Sequence, residues 1–152
     1  MSMNRRAVVK AIASGSALIG ISVLMPRIAL AAWNSDAFQA DNQATAMEAL
    51  LGGSPQPSAD VTLKVPDSAD NGAMVPVTVR TSMANVESIS LFVEGNPAPL
   101  VAEFLIPEGT EADVATRVRM ASTSTVTAVV KAEGQLYSAA KEVKVVLGGC
   151  DS

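Results

Sequence analysis

The chain has one cysteine and no histidine among its 152 residues. That cysteine, Cys150, follows Gly148 and Gly149 and precedes Asp151 and Ser152. Without histidine, this chain alone cannot form a Ser-His or Cys-His nucleophile pair, an HExxH zinc site or a histidine-ligated haem site. One cysteine makes neither an intrachain disulfide nor a CxxC motif. Free cysteine is normally a buried residue type, yet a Gly-Gly-Cys tail has no following structure to cover it. An exposed thiol in an oxidising compartment oxidises or cross-links unless it has a use. The glycines let the tail swing, and residues 148–152 extend roughly 15–18 Å beyond Leu147 at full stretch. A swinging group is poorly suited to hold a transition state but well suited to enter a pocket in another protein. Asp151 and the terminal carboxylate push the thiol pKa up, so activation must come from that pocket. The local chemistry predicts a carrier. Two alternatives stand beside it: a structural immunoglobulin-like module cross-linked through Cys150, and a thiol-redox enzyme, which lacks both a resolving cysteine and a base.

Other polar groups carry weaker signals. Asp67, Asn71 and Gly72 fit three positions of a calcium loop, but Ala69 and Thr78 stand at ligand positions, which favours a plain turn. Arg117 and Arg119 share a strand face and could attract an anionic adduct, although a solvated or subunit-facing surface explains them as well. Glu108, Glu111 and Asp113 read as a polar loop. Neither a metal nor another cofactor is expected on this chain.

The amino end has the three parts of an export signal. Arg5, Arg6 and Lys10 form the basic start, Ala11 to Met25 the apolar run, and Ala29-Leu30-Ala31 the small-x-small cleavage site. The run is too short and too rich in Gly and Ser to span a membrane. Consecutive arginines followed by one further residue (Ala7), two aliphatics (Val8, Val9) and Lys10 resemble a twin-arginine signal, with Asn4 and Val8 departing from its usual residues. The expectation is a cleaved signal over 1–31 and a periplasmic protein, exported folded and in company with a partner subunit. Beyond residue 27 seven bases face fifteen acids, a balance of −8, which repels phosphate and excludes nucleic acid as a partner.

The remaining elements must position the tail. At 49% hydrophobic and 17% charged, the chain holds enough apolar residues for one domain without a disulfide or metal. Ala37, Ala40, Ala44, Met47 and Leu51 recur at helical spacing, predicting one helix over 35–51, capped by Ser35 and closed by Gly52-Gly53. It belongs to a segment over 32–59 made of helix and linker. From Asp60 the period changes to two. Seven strands are expected at 61–65, 74–81, 87–93, 100–106, 112–120, 124–132 and 136–147, separated by turns such as Asp70-Asn71-Gly72 and Glu94-Gly95-Asn96-Pro97. This is all-β: an immunoglobulin-like antiparallel β-sandwich over 60–147, followed by the carrier arm over 148–152. On the outer strand faces Val129 and Val146 predict apolar surface that a partner covers.

The export signal, the all-β domain and the Gly-Gly-Cys tail together resemble the SoxY sulfur-carrier family of bacterial thiosulfate oxidation. Internal stretches are also similar: Pro66 with Asp70-Asn71-Gly72, Val75 to Val79, Asn96-Pro97-Ala98-Pro99, Arg117 to Met120, and Gly134-Gln135-Leu136-Tyr137. The family's tail reads Gly-Gly-Cys-Gly-Gly, whereas Asp151-Ser152 stand here. The resemblance implies a heterodimer with a SoxZ-like subunit and sulfur carried on Cys150 as S-thiosulfonate, persulfide and S-sulfonate. Its implied transient partners are a c-type haem sulfur transferase, a manganese-dependent sulfate-releasing hydrolase and a sulfur dehydrogenase.

Overall fold

The computed structural model describes residues 34–146. The expected export signal (1–31), Gly148, Gly149 and Cys150 lie outside them. Two helices open the described chain, α1 (Ser35–Gln39) and α2 (Gln43–Leu51). Nine strands follow: β1 (Gln56–Pro57), β2 (Val61–Lys64), β3 (Ser68–Ala69), β4 (Val75–Thr81), β5 (Val86–Val93), β6 (Leu100–Leu105), β7 (Asp113–Val118), β8 (Ser124–Ala132) and β9 (Gln135–Val145). The larger sheet runs β1-β9-β8-β5-β6, with β3 also on β9, and the smaller runs β2-β4-β7. The seven expected strands are all present and pair antiparallel with one another. Two-residue β1 and β3 are additional and pair parallel to β9.

Alternation decides which side chains meet between the sheets. Val75, Val77 and Val79 of β4 face Ile89, Leu91 and Val93 of β5 and Val126, Ala128 and Val130 of β8 across one buried cluster. Each strand there contributes every second residue, as the pleat requires. Fully burying a Val or Leu side chain contributes roughly 1.5–3 kcal/mol. This cluster is therefore the main source of stability.

A second cluster lies on the outer face of the larger sheet. Phe92, Leu100 and Val129 pack there against Ala37, Ala40 and Ala46 of the amino-terminal segment. The helices turn β5 and β8 into strands buried on both faces, which explains why Phe92 interrupts the alternation of β5. Ser90, on the same face, is also fully buried. Two expectations change here. Val129 is 1% exposed and is covered by the protein's own helices, not left for a partner; Val146 remains 53% exposed. The stripe also shifts, since Ala46 is buried and Ala44 exposed.

The shift follows from a break in the helix. Asn34, not Ser35, caps α1 by accepting from the Ala37 N–H at 3.1 Å, and Asn42 caps α2 by accepting from the Thr45 N–H at 2.8 Å. An Asn at an N-cap is extended, and Asn42 has φ −141° and ψ 156°, so one continuous helix cannot pass through it. Asn34 also donates from Nδ2 to the Ala49 carbonyl at 2.9 Å, tying the two helices into one cover. Gly52 closes α2 in the left-handed conformation, φ 70°, as expected from sequence.

Phe92→Ala removes the largest side chain of the helix-facing cluster. It is expected to cost about 3–5 kcal/mol, read from urea unfolding of the purified protein.

Candidate functional site

The expected carrier cysteine lies outside the described residues, so the site is built from the strand that leads to it. β9 has eleven residues and pairs with β8 from Gln135 to Val143. Past that ladder its last amides are held alternately from two sides. The Lys144 N–H donates to the Asp67 carbonyl and the Val146 N–H to the Ala69 carbonyl, both at 3.0 Å. Between them the Val145 N–H donates in the other direction, to Thr123 Oγ1 at 2.9 Å. Successive amides of a strand point to opposite edges, so β3 serves one edge while the Thr123 side chain replaces the missing β8 backbone on the other.

A loop passes directly beneath this end. A Cβ on Gly72 would sit 2.5 Å from the Met120 carbonyl oxygen and 2.9 Å from Val145 Cγ1. The Met120 N–H donates to the Gly72 carbonyl at 2.7 Å, fixing the approach. Asn71 shapes the preceding turn by accepting from the Ala73 N–H at 2.9 Å. Asn96 joins the neighbouring loops, donating from Nδ2 to the Arg119 carbonyl at 2.7 Å and accepting from the Ala121 N–H at 2.9 Å. Three stretches singled out in the sequence, around Asn71, Asn96 and Arg119, thus converge where β9 ends. Arg117 and Arg119 are exposed at that end.

The calcium-loop reading of Asp67 and Asn71 does not survive this geometry. Asp67 pairs with Lys141 Nζ at 2.7 Å, and the same ammonium donates to the Val65 carbonyl at 3.2 Å. The hydrogen bond and charge of Lys141 hold the Asp67 carboxyl below its ordinary pKa. Among the described residues no three acidic, cysteine or histidine side chains gather as a metal site. Among them too, no helix is long and apolar enough to cross a membrane.

An open groove of about 800 Å³ lies elsewhere. It is lined by Asp60, Arg80, Met83, Glu108 and Glu111 among others, around the β4–β5 and β6–β7 connections. Arg80 Nε donates to Asp113 Oδ2 at 2.9 Å across its wall. The pairings Val61↔Thr81 and Val86↔Ala132 put this groove at the end of the sandwich where β9 begins. The end of β9 is a full strand away. Glu108, Glu111 and Asp113, read as a polar loop, belong to this distant end.

Sequence reasoning missed Thr123, Ala69 and the Lys141–Asp67 pair. An isolated threonine before a strand gives no signal of its own, and a two-residue parallel pairing has no periodicity to detect. Gly72 was read as a turn residue, but its necessity comes from close packing.

A helix-covered β-sandwich of the immunoglobulin-like kind, ending on a strand held from both sides, defines the class of this protein. The family model for the sulfur oxidation protein SoxY matches residues 47–150. The chain is 42% identical to the structure of the sulfur carrier protein SoxY from Chlorobium limicola f. thiosulfatophilum, with a TM-score of 0.62, covering 68% of this chain and 96% of that one. The chain belongs to the SoxY family. Two structures of superoxide reductase (neelaredoxin) from Ignicoccus hospitalis share the fold alone. They are 17% and 18% identical, each with a TM-score of 0.51, over 64% and 70% of this chain and 86% and 90% of theirs. No curated protein matches the chain.

Two outcomes are expected at this end of the molecule. Gly72→Ala must displace main chain or Val145, at a cost of about 1–3 kcal/mol by urea unfolding. In an NMR titration the Asp67 carboxyl should titrate below the ordinary aspartate value and return to it in Lys141→Ala. Because its folded pKa is depressed, the pair's stabilisation is present above the unfolded pKa and is lost as pH falls through the folded one.

Proposed function

We propose that this protein is a periplasmic covalent sulfur carrier, with Cys150 as the attachment site and Gly148-Gly149 as the flexible link to β9. The observation that carries the reading is that the SoxY match runs through residue 150, where the chain's one cysteine follows two glycines. The anchored end of β9 supports it, because a delivered group needs a fixed origin. In loading, the Cys150 thiolate bonds to the outer sulfur of thiosulfate and two electrons leave, one at a time, through the haem of a c-type sulfur transferase to its electron acceptor, giving an S-thiosulfonate. Hydrolysis by a manganese-dependent partner adds water, releases sulfate and two protons, and leaves a persulfide. A sulfur dehydrogenase takes six electrons from that persulfide, while three waters supply the oxygens and release six protons, giving an S-sulfonate. A second hydrolysis with one more water clears it as sulfate and two protons, returning the thiolate. Those metals belong to the partners. Cys150 contributes a nucleophilic sulfur and a disulfide-type bond that can be made and broken repeatedly.

Export by the twin-arginine route fits a protein that folds first and travels with a SoxZ-like subunit. The larger sheet ends on β6, where Leu105 is 68% exposed, leaving apolar surface for such a subunit.

The test is the intact mass of protein purified from the periplasm of cells oxidising thiosulfate. Sulfur and sulfonate additions on Cys150, lost in Cys150→Ser, are expected, with a melting temperature unchanged within about 1 °C because the residue lies beyond β9. A reducible homodimer, or oxygen additions without sulfur, would replace the carrier by the cross-linked module or the thiol enzyme.

A further inference from the structure

We propose that Thr123 is a positioning residue for the carrier arm: with β3, it closes a clamp on Val145 and Val146 that fixes Val146 as the pivot and thereby sets the reach of Cys150. The inference rests on the carrier reading for its purpose, but not for its geometry.

The β8–β9 ladder ends at Ser124↔Val143, two residues before β9 stops. Strand ends without partners fray, and each frayed residue would lengthen the free arm by about 3.3–3.6 Å. Here the amides of residues 144, 145 and 146 are taken in turn by the Asp67 carbonyl, Thr123 Oγ1 and the Ala69 carbonyl. Thr123 itself is exposed, so its hydroxyl does not fill the core. It substitutes for one rung of the ladder at the last place where β8 no longer reaches. Gly72, under Val145, blocks displacement toward the loop. The Lys141–Asp67 pair steadies the segment that leads into β3. Four residues separate Val146 from Cys150 in sequence, a span of at most about 14 Å at full extension. Opening the clamp back to Val143 would add three residues, nearly doubling that reach and widening the region the thiol samples. A short arm keeps the effective concentration of the thiol at a docked partner's pocket high, and it falls as the arm lengthens past the span.

The test compares Thr123→Val, which removes the hydroxyl while keeping the shape, with Thr123→Ser, which keeps the hydroxyl. Native-state amide exchange at Val145 is read by NMR. Distances between nitroxides on Cys150 and on a second cysteine, Thr62→Cys, are read by pulsed electron resonance. Thr123→Val is expected to speed Val145 exchange about five- to tenfold, the change expected for one hydrogen bond, and to broaden the distance distribution. Melting temperature should move by less than about 2 °C, and Thr123→Ser should restore both readouts. Val145 exchange unchanged within twofold, an unbroadened distribution, or a Thr123→Ser variant as loose as Thr123→Val would each overturn the clamp. None of these measurements uses a sulfur donor. A failed clamp therefore leaves the mass test of Cys150 standing, and a failed mass test leaves the clamp measurable.

Discussion

β9 is hydrogen-bonded along both edges, and the arrangement of the rest of the sandwich serves that condition. β8 takes one edge over nine residues. The other edge would be open at the side of the larger sheet, where unpaired strands invite association. The chain instead lays residues 56–69 along it, pairing Gln56 and Pro57 near one end and Ser68 and Ala69 near the other. The Ser58 N–H adds a bond to the Ser138 carbonyl at 2.9 Å, and Lys141 bridges the gap by reaching Val65 and Asp67. The same segment carries β2 into the smaller sheet. One crossing of the chain thus closes an edge, joins the two sheets and holds the last strand.

Covering the larger sheet's outer face is the second condition. β5 and β8 present Phe92 and Val129 outward, and these need an apolar lid. Alanine is the economical residue for such a lid, since its short side chain lets a helix lie close to the sheet and costs no rotamer entropy. The two asparagine caps then set where each short helix begins. A single seventeen-residue helix would cross the sheet in one direction only, whereas the break at residues 40–42 lets Ala40 and Ala46 both reach it.

The strands were legible because half-burial writes a period of two into the sequence, and β4 follows it at each position. Phe92 showed as an exception to that period, but one sequence position does not reveal what lies above it, so Val129 was taken for open surface. The helix break was hidden for a different reason. Asn42 is compatible with a helix interior by type, and only the competition between its side chain and the backbone N–H of Thr45 decides for a cap. β1 and β3 were illegible because two residues held by main-chain bonds need no particular side chains. Cys150 was conspicuous through uniqueness and its glycines. The groups that hold the strand before it, Thr123 and the carbonyls of Asp67 and Ala69, act through one hydroxyl and the backbone, which sequence barely encodes.

The distances divide the molecule into two ends with different uses. β9 spans about 33 Å from Gln135 to Val145 at the usual strand rise. The four residues from Leu147 to Cys150 can span at most about 14 Å, less than half that length. Under the carrier reading, partners that act on Cys150 approach the end where Asn71, Asn96 and Thr123 meet. That end is stiff where it holds β9, through main-chain bonds and a close glycine contact, and carries exposed Arg117 and Arg119 nearby. Under the carrier reading, a strand end held in this way leaves each partner to supply the activating groups, while this chain supplies the sulfur atom of Cys150.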